Sequence, residues 1–385
     1  MQRLINSFRP ITNASPLLRQ LLGWSLVLLV AGCVDPYRPP EITAPGSYLV
    51  VNGFFDSALG STTNIRLTRT QNLTDSKVPT VETRAQVTIE SAHSVTYPLR
   101  EAGNGLYTLT GVTPLANENY RLRIKTAQGK EYLSEYVPVV TTPAIDSVNW
   151  SVENDGVQIN VNTHDPRGNT RYYRWDYNET WEFTAAYQSS LELVNNQLIS
   201  RTDDSYRCWK SDSSSTIVVS TSARLSQDII SQRPLVFIPG QSIKLGIRYS
   251  MLVRQYGLTK EGYDYYEQLA KITQSVGSLF DPQPSQITGN FHAAVNGSTD
   301  LVLGFFRVGT VESKRIFIQK AQLPSWYPQN GNSLCQIDTM TLAEIRESRP
   351  GVITSFEMGQ YLTSSLYCVD CRLRGTNKRP AFWTN

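Results

Sequence analysis

Between Gln241 and Phe291 the chain carries a strand pattern, a helix pattern and a proline-stiffened loop in succession, and this order restricts the fold more than any other stretch. Ile243, Leu245, Ile247, Tyr249, Met251 and Val253 recur at every second residue, with Lys244, Arg248, Ser250 and Arg254 between them. Side chains alternate across a strand, so the spacing predicts a half-buried strand whose apolar face a second layer must cover. A helix is expected next, over 260–276. Thr259 can cap it, Glu261 suits the positive end of its dipole, and Tyr265, Leu269, Ile272 and Val276 make one apolar stripe. Gly277 can take the left-handed conformation that ends it. In the loop Ser278-Leu279-Phe280-Asp281-Pro282-Gln283-Pro284 the two prolines fix φ and remove donors, which excludes helix and central strand. This stiff stretch is a candidate contact loop, centred on Phe280, Asp281 and Gln283.

The same period of two recurs on both sides. Short runs at Tyr48–Phe55, Asn64–Thr70, Gln86–Glu90, Leu106–Leu109, Tyr120–Lys125 and Lys130–Tyr136 are separated by turn residues such as Asn104-Gly105 and Gln128-Gly129. They predict an immunoglobulin-like β-sandwich over 46–141. The run Gly105–Gly111 followed by Asn119–Lys125 resembles immunoglobulin-like and carboxypeptidase-regulatory-like modules at the level of fold. Pro138 and Pro143 bracket an expected linker, and a larger β-rich domain follows over 142–385. There Val157, Ile159 and Val161 alternate, Tyr173, Trp175, Tyr177, Trp181 and Phe183 share one parity, and further strands are expected at Ile217–Val219, Leu235–Ile238, Leu301–Phe306 and Ile316–Ile318. The row of rings reads first as core, since each buries much apolar area, and second as a sugar-stacking platform led by Trp175 and Trp181. Ala185–Asp204 reads as a polar insertion. Beyond Leu323 the chain looks loop-rich, with a helical stretch near Leu342–Arg346. The fold class is therefore mostly β, two units with one amphipathic helix inserted.

The start of the chain bears on location. Arg3, Arg9 and Arg19 precede an apolar run from Leu21 to Ala31, about the length of a signal-peptide core and shorter than the roughly 20 residues of a spanning helix. Its end, Val30-Ala31-Gly32-Cys33, resembles the lipobox of bacterial lipoproteins, in which the cysteine thiol receives diacylglycerol. The expectation is a signal peptide over 1–32, a lipidated Cys33, and a spacer over 33–45 stiffened by Pro36, Pro39, Pro40 and Pro45. Such acylation anchors a protein to a bilayer without spanning it. Which face of the outer membrane it occupies is left open. Loss of the leader removes three arginines and no acids, taking the formal charge from +3 to 0. Basic and acidic residues then alternate along the chain, which argues against a nucleic-acid partner. Arg372, Arg374, Lys378 and Arg379 near the C-terminus are expected to form a solvated rim.

Four cysteines follow Cys33: Cys208, Cys335, Cys368 and Cys371. In an exported chain an even number favours disulfides, with three pairings possible. The Cys368-Val369-Asp370-Cys371 spacing also admits a redox pair or part of a zinc site, but it lacks the βαβ setting of the first and the second close pair of the other. His93, His164 and His292 show no metal-ligand spacing, and no nucleophile elbow or phosphate-cradling loop occurs. His164-Asp165 reads as part of a capped turn. Glu179, Glu182, Asp203 and Asp204 are the acids that a glycosidase pair would draw on, but no spacing singles two of them out. No catalytic residue, metal or cofactor is assigned, and the chain is expected not to be an enzyme.

Several longer strings belong together: Cys208-Trp209, Ser220–Asp228, Ile247–Tyr256, Gly277-Ser-Leu-Phe-Asp-Pro-Gln-Pro284 and Cys368–Gly375. Over residues 45 to 385 they resemble a lipoprotein family of Bacteroidetes-type bacteria known as domain of unknown function 4249. Its members are typically encoded beside TonB-dependent outer-membrane receptors. The resemblance implies an outer-membrane-anchored binding or interaction module, accessory to such a transporter in ligand or nutrient uptake, with no established site residues to carry over. The alternatives are a surface glycan-active enzyme and a structural envelope lipoprotein.

Overall fold

The computed structural model describes residues 47–71, 80–274, 287, 289–295, 298, 300–327 and 332–384. The leader, Cys33, the spacer and the loop containing Phe280, Asp281 and Gln283 lie outside these residues. What is described is mostly β and contains two separate hydrophobic cores.

In the first core, alternation does what the sequence predicts. Thr62–Arg69 and Asn119–Lys125 bury every second residue, and Leu49–Asp56, Gln86–Ser91, Leu106–Thr110 and Glu131–Ser134 complete the expected strands within a residue or two. Phe55 from one half of the sheet meets Tyr120 from the other edge to face at 5.3 Å. The two halves thus close on a common interior of Leu49, Ile65, Leu67, Ile89, Leu122 and Ile124.

Two expectations fail here. The linker near Pro138 is a strand, Val137–Val140, and the strand expected at Leu301–Phe306 is shorter and belongs to the first sheet. Phe291–Ala293, Val302–Leu303 and Val308–Gly309 all return from far along the chain to this sheet; the last two run parallel to Leu49–Asp56. The first unit is therefore not confined to residues before 142. Close backbone approach makes the return possible. A Cβ on Gly304, at φ +131°, would lie 2.2 Å from the Val51 carbonyl, and one on Gly309 would lie 2.2 Å from that of Val140. Only glycine lets these backbones meet.

The second core lies between a three-stranded sheet, Ile145–Glu153, Gly156–His164 and Ile229–Pro239, and a five-stranded one. The latter is centred on Tyr172–Thr184. Arg248–Leu258 runs along one edge of that strand, Val218–Thr221 and Arg207–Ser213 along the other, and Glu312–Gln319 lies beyond Arg248–Leu258. The apolar alternation expected from Ile243 becomes strand only at Arg248. Ile243–Leu245 is a 3₁₀ turn, capped by the Ser242 side chain accepting from Lys244 N at 3.3 Å. Leu245 is still buried, so the apolar pattern reported burial correctly but not backbone shape. The helix Lys260–Gln274 follows with its Thr259 cap, Oγ1 accepting from Gly262 N at 3.2 Å. It rests Gly262 and Tyr265 on Phe305, with the two rings 5.4 Å apart.

A third, smaller assembly was not expected. The polar insertion contains a hairpin, Leu191–Val194 with Gln197–Ser200, turned by Asn195 and Asn196, both at positive φ. The loop-rich tail contains a three-stranded sheet, Asp338–Thr341, Gln360–Ser364 and Gly351–Ser355. Between its strands lies the expected helix, Leu342–Ser348, started by a Thr341/Glu344 capping box.

Gly304→Ala is expected to destabilise the protein by at least about 2 kcal/mol, because the new methyl meets the Val51 carbonyl as well as an unfavourable φ. Gly103→Ala, at positive φ with open space around it, should cost about 1 kcal/mol. Urea unfolding of the two variants measures the difference, and equal losses would mean that the returning segment does not press on the first sheet.

Candidate functional site

The sulfur atoms identify where distant parts of the chain are fastened. Cys208, opposite Phe183 in the five-stranded sheet, is bridged to Cys371, and Cys335 is bridged to Cys368, with Cα–Cα distances of 5.8 and 5.7 Å. The closely spaced pair is thus split between two bridges. Cys368 and Cys371 each bond a remote partner, so they form neither a redox dithiol nor a thiolate ligand set.

Backbone hydrogen bonds run along the same seam. Cys371 N donates to the Ser205 carbonyl at 2.9 Å, Tyr187 N to that of Cys368 at 3.0 Å, and Ser190 N to that of Ile353 at 2.7 Å. The Ser189 hydroxyl donates to the Val352 carbonyl at 2.6 Å, and the Tyr187 hydroxyl to that of Cys335 at 2.8 Å. The insertion and the tail are zipped together along one side. Beside this seam they leave a cleft of about 770 Å³, lined among others by Gln188, Ser189, Arg201, Asp203, Tyr206 and Thr354.

Charge alternates along the cleft. Arg201 donates from Nη1 to Asp203 at 3.1 Å, lies 3.6 Å from Glu192, and donates from Nε to Ser189 Oγ at 3.2 Å. Arg372 reaches Asp203 from the tail and also holds Asp370 at 2.7 Å. Burial pushes the Asp203 carboxyl up, but the hydrogen bond from Arg201 and the charge of Arg372 outweigh it and hold the group below its usual range. Burial of Asp370 is likewise outweighed by Arg372. The hydrogen bond to Asp370 in turn raises the Arg372 guanidinium above its ordinary value. Both carboxylates are therefore kept ionised, as acceptors.

Other residues singled out by sequence have different fates. Trp175 is fully buried and Trp181 is 5 % exposed, so neither ring can stack on a sugar; the platform reading is corrected to core. Trp175 Nε1 donates to Gln255 Oε1 at 2.8 Å, and Gln255 Nε2 donates on to the Pro143 carbonyl and Thr163 Oγ1. Burial of the indole is possible because its one polar group is satisfied. Glu179 accepts from the Tyr249 hydroxyl at 2.6 Å and Lys244 Nζ at 2.5 Å, whereas Glu182 lies among Arg207 and Trp383. Asp204 accepts from the backbone of Tyr206 and Arg207. Asp165 accepts from the backbone of Arg167, Asn169 and Thr170, the capped turn that was expected, while His164 turns to Asp146 at 2.8 Å. His93 pairs with Glu118 and His292 with Glu135, so the three imidazoles have three separate partners. The basic tail is a solvated rim only in part: Lys378 and Arg379 are exposed, but Arg372 and Arg374 are half-buried. Arg372 is ion-paired, Arg374 stacks on Phe183 and Tyr367, and Arg379 donates to the Trp383 carbonyl.

Sequence reasoning missed Gln188, Ser189, Arg201, Tyr206 and Thr354. The signal available was the polar insertion running into Cys208; the segment that faces it, more than a hundred residues on, left no local mark.

Two outcomes are expected. Replacing Cys208 and Cys371 by serine frees a loop closed over 163 residues, against 33 for Cys335 and Cys368. The chain-entropy account makes the first pair of substitutions the costlier by about 1.4 kcal/mol, measurable by urea unfolding. Because the Asp203 and Asp370 values are depressed on folding, the stability they supply is complete above about pH 4, their unfolded range, and is lost as pH falls through the lower folded values. Arg372→Ala should flatten the fall of the unfolding midpoint between pH 4 and 2. An unchanged acid limb would show that this ion-pair chain does not hold the seam.

A search of curated proteins finds no match. Among solved structures the chain is similar to a two fibronectin type-III domain segment from chicken tenascin, at 13% identity over 54% of this chain and 90% of that one, with a TM-score of 0.16. It is also similar to the chitinase ChiA74 from Bacillus thuringiensis, at 11% identity over 48% of this chain and 30% of that one, again with a TM-score of 0.16. The model of the family described as "Domain of unknown function (DUF4249)" matches residues 34–315, which leaves the Cys368–Gly375 string beyond it. The match covers well over half of the chain, and the protein belongs to that family.

Proposed function

We propose that this protein is a lipid-anchored binding module that holds a small polar, hydroxyl-bearing ligand in the cleft between insertion and tail. It acts on the outer membrane beside a TonB-dependent transporter. The observation that carries the reading is the construction of the cleft: the two segments that line it are tied together by two disulfides and a row of backbone hydrogen bonds. A volume of about 770 Å³ lies within the usual range of ligand sites, but the lining is more polar than the predominantly apolar lining of most. Gln188 and Arg201 carry donors and Asp203 carries acceptors, and Tyr206 is also among the lining residues. Such a mixture suits a ligand that both gives and accepts hydrogen bonds.

Binding suits the site better than catalysis. A glycosidase needs one carboxyl raised enough to donate a proton, with a second carboxylate opposite it. Here arginines hold Asp203 ionised, which favours acceptance and disfavours proton donation. Anchoring follows from Cys33 and its lipobox, and the transporter from the family's usual company.

Three measurements on the tagged full chain test this. It should sediment with the outer membrane and lose that location in Cys33→Ser. Affinity purification from membranes should recover a β-barrel receptor. Gln188→Trp, which fills the cleft from an exposed position, should abolish a small molecule detected by native mass spectrometry of the wild type while leaving the melting temperature within about 1 °C. Retention of the same molecule by Gln188→Trp would move the site elsewhere, and recovery of no barrel protein would remove the transporter from the account.

A further inference from the structure

Arg307 is a buried cation with nothing to hold. Its backbone carbonyl accepts from Phe55 N at 3.0 Å, which fixes the residue where the returning segment meets the first sheet. Its guanidinium then reaches the outer face of the strand Arg248–Leu258, 3.9 Å from the Phe54 ring centroid and 4.6 Å from that of Tyr256. The residue is 6 % exposed, and among the described residues neither Nη1 nor Nη2 has a hydrogen-bond partner. Ring faces stabilise a cation's charge, but they do not satisfy its in-plane N–H groups.

The neighbourhood is short of negative charge. Arg174 lies over the same Tyr256 ring at 4.8 Å and donates to Asp176 at 2.9 Å; Arg254 donates to that same carboxylate at 2.5 Å. Asp56 is the acid that acts on Arg307 itself, and it does so without a hydrogen bond. Among the described residues, three guanidinia thus face two carboxylates. Burial pulls the Arg307 guanidinium down to about 10, with Arg174 adding to the shift. An unpaired buried charge is strongly unfavourable, and orphaned buried donors in native proteins point to an unseen water or ion.

We propose that Arg307 binds one small planar oxyanion, of the carboxylate or nitrate kind, through Nη1 and Nη2 at the seam between the two cores. Shape selects the class. The two amino groups of a guanidinium form a fork that matches two oxygens of a planar anion, which a spherical halide does not offer. Charge selects the number, since one monoanion brings the cluster to neutrality. The bound ion joins Phe306–Gly309 of the first core to Arg248–Leu258 of the second, so its occupancy is linked to the stability of their contact.

The test uses the full chain in detergent, in a buffer whose only anion is a bulky sulfonate. Formate, nitrate or chloride replaces the sulfonate at constant ionic strength, and the thermal midpoint is followed. Formate and nitrate should raise the wild-type midpoint along a saturable curve, as expected when a ligand binds only the folded state. Arg307→Met should give flat curves, and Arg307→Lys, which keeps the charge without the fork, should need at least about tenfold more anion for the same shift. Calorimetric titration of the wild type with formate should give one site per chain, a result independent of whether the variants fold. A flat wild-type curve, an equal rise in Arg307→Met, or no calorimetric site would overturn the proposal. A response to chloride alone would overturn the oxyanion class.

Discussion

The strand Tyr172–Thr184 is the constraint on which the second core, and through it the cleft, depends. It is paired along both edges, and every residue from Glu179 to Phe183 is buried. Tyr173, Trp175, Tyr177, Trp181 and Phe183 point into the core, each contributing about 1.5–3 kcal/mol by leaving water. A register slip of one residue would exchange these rings for Arg174, Asp176 and Glu182, so pairing is fixed strongly. That register places Phe183 opposite Cys208 and so sets where the first bridge leaves the sheet. The opposite side of the same strand carries Arg174 and Asp176, the start of the charged seam near Tyr256. One strand therefore positions the stapled cleft at one end and the uncompensated arginine cluster at the other.

Much of the scaffold was legible because it is local. Period-two burial located the six main strands of the first sheet and the aromatic strand of the second, and the helix after Thr259 was announced by its cap and stripe. Where local pattern misled, a local competitor explains it. Ser242 caps a 3₁₀ turn within an apolar alternation, and Pro138 sits in a four-residue strand whose first two residues pair antiparallel with Asn119–Lys125 and whose last two pair parallel with Val308–Gly309. The five aromatics of one parity could be read as core or platform; only the partners of Trp175, supplied by Gln255, Pro143 and Thr163, decide for core.

What was not legible is who meets whom across long separations. The segment 291–309 returns to a sheet begun at Leu49, and the only trace in sequence is glycine at 304 and 309, which many turns would also explain. The insertion faces the tail across about 160 residues, and four cysteines with three possible pairings could not reveal it. Arg307 is invisible for a related reason. An arginine between Phe306 and Val308 reads as the polar face of a strand, and its isolation follows from the burial contributed by Phe54 and Tyr256, which are distant in sequence. Ionic arrangements of this kind depend on tertiary neighbours and leave no periodicity.

The central claim is that the stapled cleft between insertion and tail is where the protein holds its ligand. The most direct measurement is an experimental structure of the full chain purified from its own membrane without added small molecules. Non-protein density is expected between Gln188, Arg201, Asp203 and Thr354, within hydrogen-bond distance of their polar atoms. A cleft filled only by water, with ligand density at another place on the molecule, would contradict it.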